Sequence, residues 1–140
     1  MAGNAIYPLW KQEIMKGTAN NVLNGAEGAA TGVFAALVTS AYTYSAAHQF
    51  YSSLAGVTGT PQEILTKTQA TGIFDGTDLT YTAVAGGSTC NAIVLYRSNG
   101  GANTTWPLIA YLDTNITNLP VITNGGNITI AWNATGIFAL

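Results

Sequence analysis

The chain has 140 residues, 48% of them hydrophobic and only 7% charged, with four Lys or Arg against six Asp or Glu and a net charge of −2. That length suits one domain burying about two-thirds of its unfolded surface. The absence of a basic stripe argues against nucleic acid as a partner, since phosphate neutralisation needs clustered Lys and Arg. No run approaches 18 apolar residues and residues 1–23 lack the apolar core of a signal peptide, so neither membrane spanning nor signal-directed export is expected.

Residues 1–24 read as an arm, and residues 25–140 as a single β-rich domain. Pro8 suits the first turn of a helix, and Leu9, Trp10, Ile14 and Met15 fall mostly on one side, opposite Lys11, Gln12, Glu13 and Lys16. The spacing predicts a short amphipathic helix over Pro8–Lys16, stopped by Gly17 and followed by turn chemistry at residues 18–21. A helix this short must pack on its own sheet or clamp a partner.

The small-residue stretch 25–32 lacks the Gly-Lys-Ser/Thr ending and the glycine spacing of a phosphate loop. Residues 33–38 then read as a buried strand. Ser45 can cap a second helix, with Ala47, Phe50, Tyr51 and Leu54 at three- and four-residue intervals, ending near Gly56.

From Pro61 onward the rhythm is strand and turn. Residues 63–70 and 79–84 alternate as half-buried strands. Residues 91–97 and 107–113 are nearly continuous apolar runs, as expected of central strands covered on both faces. Pro120 breaks the next segment. Asn124-Gly125-Gly126 supplies a turn, and residues 127–133 alternate with Ile128, Ile130 and Trp132 on one face. Residues 137–140, Ile-Phe-Ala-Leu, are too apolar to fray into water, which forgoes about 1.5–3 kcal/mol per large side chain. They dock on their own sheet, as a possible seventh strand, or on a neighbour. Six strands with two short helices early in the chain predict a mainly β fold, an antiparallel β-sandwich or jelly-roll-like domain.

Candidate chemistry is sparse. His48 is the single histidine, and a hydrolase would need it joined to Asp75, Asp78 or Asp113 and a serine, yet no Gly-x-Ser-x-Gly elbow occurs. A structural hydrogen bond is the expected role. Asp75-Gly76-Thr77-Asp78 is explained as a turn, and the oxygen series of a calcium loop is missing. Cys90 has no second cysteine for a disulfide or a zinc site and reads as a small buried residue at a strand entrance. No cofactor and no metal is expected. Four Asn-x-Thr matches, at Asn103, Asn115, Asn127 and Asn133, are attributed to the abundance of both residues. The aromatics Tyr7, Trp10, Trp106 and Trp132 read as core or interface anchors.

At residues 43–50, Thr-Tyr-Ser-Ala-Ala-His-Gln-Phe, at residues 72–84, at 108–114, Leu-Ile-Ala-Tyr-Leu-Asp-Thr, and in the 119–140 ending, the chain resembles a family of small structural proteins of tailed bacteriophages. The similarity spans nearly the whole length and includes the opening Tyr7-Pro-Leu-Trp-Lys-Gln. It implies a non-enzymatic virion component assembled in the host cytoplasm. Within that family a capsid decoration or cement protein on the phage head surface is favoured, a homo-oligomer whose partner is the major capsid protein. A tail, connector or host-attachment protein is the alternative, and a small hydrolase using His48 the remote one. Tyr7, Leu9, Trp10, Ile14, Met15, Ile137, Phe138 and Leu140 are the candidate residues for gripping a neighbour.

Overall fold

The computed structural model describes residues 4–28 and 30–140, so residues 1–3 of the predicted arm and Ala29 of the small-residue stretch lie outside it. The protein is mainly β, with antiparallel sheets and one short α-helix in a sandwich-like arrangement. The strands are β1 (Ala5–Ile6), β2 (Thr31–Thr39), β3 (Val57–Glu63), β4 (Thr68–Ala70), β5 (Ile73–Asp75), β6 (Leu79–Tyr81), β7 (Thr89–Asn99), β8 (Leu108–Leu112), β9 (Val121–Ile122), β10 (Ile128–Ile130) and β11 (Phe138–Ala139). The main sheet runs β1-β8-β7-β2-β3, with β9 also paired to β7. Two small sheets, β10-β6 and β11-β5-β4, complete the fold.

The apolar runs explain the centre of the main sheet. In β7 every residue from Ala92 to Ser98 is buried, and in β8 all five residues are. β2 lies beside β7 along its whole length, from Thr31 opposite Asn99 to Val38 opposite Ala92. A strand covered on both faces can be apolar at every position, and this is why alternation is lost there. β6 and β10 do alternate, each with a buried, exposed, buried pattern, because only one face of that ribbon meets the core.

The layers are tied by a hydrogen bond as well as by packing. Tyr81 of β6 is fully buried and its hydroxyl donates to the Ala35 carbonyl of β2 at 2.8 Å, beside the irregularity in the β2–β3 register. Burial pushes the Tyr81 phenol well above its ordinary range, so it stays a donor at any physiological pH. Tyr81→Phe is expected to cost about 1–2 kcal/mol, read as a lower urea midpoint with an unchanged slope. An unchanged midpoint would show that the bond contributes nothing net.

The helix α1 (Pro8–Lys16) forms as the spacing predicts. Pro8 opens it, and Gly17, at φ 69°, closes it with Thr18 N–H on the Glu13 carbonyl at 3.0 Å.

Three expectations are corrected. No α-helix forms over residues 46–54. Ser45 instead makes a turn, its hydroxyl accepting from Ala47 N–H at 3.2 Å, and a single 3₁₀ turn follows at Tyr51–Ser53. The backbone here is claimed by the segment leading into β8: Leu108 N–H donates to the Gln49 carbonyl and Tyr51 N–H to that of Trp106. Phe and Tyr are poor helix formers, so this pairing and the packing of Tyr51 on Tyr96 and Trp106 prevail.

The strand predicted over residues 63–70 is two strands, β3 ending at Glu63 and β4 starting at Thr68, with Thr66 in the left-handed region at φ 50° between them. The break follows from Glu27, whose carboxylate takes the Lys67 backbone N–H at 3.1 Å and its ammonium at 3.0 Å. Finally, β5 is a strand that was not predicted; it takes in Asp75, the first residue of the expected turn, and Phe74 within it is core.

Candidate functional site

Six of the eight candidate contact residues are held at least partly within the chain itself. Tyr7 and Trp10 are buried, as is Ile137, while Leu9, Ile14 and Phe138 are half-buried. Tyr7 N–H donates to the Ile109 carbonyl, and its hydroxyl lies 2.6 Å from that of Tyr42. Trp10 stacks edge-on against Phe138, which also packs on Phe74 with ring centres 5.2 Å apart. The start of the chain thus closes over its end. Tyr7, Trp10 and Ile137 pack mainly into their own core, and Trp10 and Ile137 also line surface hollows. Of the eight, only Met15 and Leu140 are exposed.

His48 sits at the end of a short hydroxyl chain. Its Nδ1 is 2.9 Å from the Tyr42 hydroxyl, which in turn meets Tyr7. Burial, then the bond to Tyr42, raises the Tyr7 phenol far above its ordinary range, and burial raises Tyr42 too. The other hydrogen bond of His48 is from its main-chain N–H to the Ser45 carbonyl at 3.0 Å. Asp78 is occupied elsewhere, accepting Trp132 N–H at 3.0 Å. Cys90 is fully buried, with its thiol pushed up by desolvation, as an inert strand residue would be. Among the described residues no three His, Cys, Asp or Glu gather to hold a metal, and no helix is long and apolar enough to cross a membrane.

The surface that the fold does assemble is an apolar seam. Asn21 is buried under α1: its side-chain amide donates to the Thr18 and Ala19 carbonyls, and its main-chain carbonyl takes the Trp10 indole N–H, each at 3.2 Å. That clamp turns Val22 and Leu23 toward the carboxy-terminal residues. Val22 remains 55% exposed and Leu140 62% exposed.

Two adjoining hollows of about 310 and 140 Å³ share Leu23, Gln69 and Leu140 as lining, and Ile14 and Val22 border the larger, Phe138 the smaller. No Asp, Glu, Lys or Arg side chain lines either. Val22, Leu23 and Gln69 were missed by sequence reasoning, because an apolar pair between turn residues has no periodicity. The only sign was that such a pair is out of place in turn chemistry.

Two ion pairs, Lys16–Glu13 and Lys67–Glu27, lie among residues that do not line the seam. Glu27 is held down to about 2, first by the backbone N–H groups of Lys67 and Thr66 and then by the Lys67 ammonium. A carboxyl depressed in the folded state contributes stability that is present above its ordinary value near 4.5 and lost as pH falls through about 2. Stability is therefore expected to decline across that window, and Glu27→Gln to flatten the decline. Urea midpoints measured from pH 5 down to pH 2 check this; equal slopes for both proteins would contradict it. No match to this chain is found among protein-family models, curated proteins or solved structures, so the mainly β, sandwich-like class stands on the structure itself.

Proposed function

We propose that the protein is a non-enzymatic structural component of a tailed-phage virion, a capsid decoration or cement protein that binds the assembled head as a homo-oligomer and stabilises the shell. The observation that carries the reading is the apolar seam of Ile14, Val22, Leu23 and Leu140, lined by no charged side chain, on a chain with 7% charged residues. Such a surface can be covered by a partner without stranding unpaired charges, the costly event at an interface. The likeness of residues 43–50, 72–84, 108–114 and 119–140 to small phage structural proteins supplies the context, with the major capsid protein as partner.

The mechanism would be mass action. A protein that binds only the assembled shell stabilises it by RT ln(1 + [L]/Kd), and many copies bridging neighbouring capsomers add avidity. In this reading the grip lies in the seam and in exposed Met15, with the arm's buried aromatics serving as its anchor to the body.

Co-sedimentation with isolated heads, and separately with isolated tails, tests the proposal. Saturable binding to heads, with shells that then survive heat better, is the expected result. Binding to tails alone would transfer the protein to a tail, connector or host-attachment role, and binding to neither would overturn the virion reading.

A further inference from the structure

The chain contains Asn-Gly three times, at Asn24-Gly25, Asn99-Gly100 and Asn124-Gly125. In this dipeptide the side-chain amide carbon lies within reach of the following main-chain nitrogen, and glycine has no Cβ to hinder the approach. Attack requires both groups to be free.

Two of the three pairs are held. Gly100 N–H donates to the Ser98 hydroxyl at 3.3 Å, while the Asn99 side chain donates to the Thr105 hydroxyl at 3.0 Å and accepts Gly101 N–H at 2.9 Å. Gly125 N–H donates to the Val84 carbonyl at 2.8 Å, and Asn124 Oδ1 takes Gly126 N–H at 2.9 Å. Asn24-Gly25 differs. Asn24 is exposed, and among the described residues no hydrogen bond holds its side chain or the Gly25 N–H.

What does lie against Gly25 is a buried cation. Arg97 is 8% exposed, its guanidinium donates to the Val22 carbonyl, and a Cβ at position 25 would stand 2.5 Å from both of its terminal nitrogens. Neither ion pair, Lys16–Glu13 or Lys67–Glu27, includes it. The close approach demands glycine here, and a positive charge beside the Gly25 N–H favours its deprotonated, attacking form. Asn24 also lines the larger seam hollow, where no charged side chain is present.

We propose that Asn24 is a deamidation site whose conversion switches the seam off. The Gly25 nitrogen bonds to the Asn24 Cγ and passes its proton, through water, to the departing amide nitrogen, which leaves as ammonia and closes a succinimide. Water then cleaves either C–N bond of the ring, giving an aspartate or an isoaspartate. One water is consumed, one ammonia is released, and nothing is oxidised or reduced. A carboxylate thereby enters the rim of the seam, where a partner covering it would have to bury that charge unpaired. The conversion rests on the surroundings of Asn24 and Gly25, while its effect on binding rests on the seam as the contact with phage heads.

The test begins with the folded full chain held at mildly alkaline pH, digested, and read by mass spectrometry at the three Asn-Gly peptides. Asn24 is expected to convert about tenfold faster than Asn99 or Asn124, or more, and the three rates to converge in urea, where the fold no longer protects two of them. A folded rate for Asn24 no greater than the others, or a difference that persists unchanged in urea, would overturn the site.

Two variants test the switch. Asn24→Asp, which installs the product, is expected to weaken head binding by about tenfold or more. Asn24→Gln keeps the amide but closes a ring far more slowly, so it is expected to bind as the parent does and to stay unmodified. Undiminished binding by Asn24→Asp would overturn the switch. If the parent itself binds no heads, the switch falls with the proposed function, and conversion at Asn24 is still decided by the mass data.

Discussion

Trp10→Ala is expected to lower folding stability by about 3–5 kcal/mol, the range for removing a buried Trp or Phe side chain. Trp10 is 2% exposed, makes an edge-on contact with Phe138, and donates its indole N–H to the Asn21 carbonyl. Substitution thus opens a cavity and releases the clamp that holds the 18–21 turn. Against a typical total of about 5–15 kcal/mol for a domain, this loss is large enough to leave a measurable unfolded fraction in mild urea. A second variant, Phe138→Ala, identifies the contact. If the aromatic pair itself contributes, the double variant should fall short of the summed losses by about 0.5–1.5 kcal/mol. A change below about 1 kcal/mol for Trp10→Ala would mean that the arm is no part of the cooperative unit.

The second large effect concerns the seam. Val22→Asp combined with Leu140→Asp is expected to abolish saturable binding to phage heads while leaving the free energy of unfolding in urea within about 0.5 kcal/mol of the parent. Both side chains are more than half exposed, so carboxylates there are tolerated in the free protein. Covered by a partner, each unpaired carboxylate would cost at least about 3 kcal/mol, roughly a hundredfold in Kd. The Val22 carbonyl, which accepts from the Arg97 guanidinium, is main chain and survives the change. Full head binding by the folded double variant would exclude the seam as the contact. Loss of folding together with binding would instead show that Val22 and Leu140 hold the body together.

The sequence was most readable where burial is extreme or local chemistry acts alone. β7 and β8 declared themselves by unbroken apolar runs, α1 by Pro8 and Gly17, and β10 by the alternation of Ile128 and Ile130. Reading failed where a distant partner decides. β3 contains Gly59 and Pro61, which argue against a strand, yet it lies at the edge of the main sheet, where a missing N–H is tolerated. The apparent helix over 46–54 had the right spacing, but Gln49 and Tyr51 give their backbone groups to residues nearly sixty positions later.

The candidate contact residues divided for a related reason. An amphipathic helix and an apolar ending announce that something must cover them, and composition does not say whether that cover is the same chain. Here α1 and the ending cover each other in part, and what stays open is the seam between them, bordered by Val22 and Leu23 from a stretch without periodicity.

The pairing of β1 with β8 sets Ala5 opposite Tyr111, and β11 returns to β5 with Phe138 opposite Phe74. Strands β1 and β11 are each stitched to a middle strand rather than to a sequence neighbour. During synthesis the segment from Ala5 to Lys16 therefore leaves the ribosome long before its partners exist, and α1, too short to persist alone, must wait for β8. Domains built on such distant pairings fold slowly, and this one reaches its final form only once Leu140 has emerged. A surface that depends on Leu140 beside Val22 is then absent from shorter nascent chains, which keeps an apolar seam from capturing partners before the body that carries it is complete.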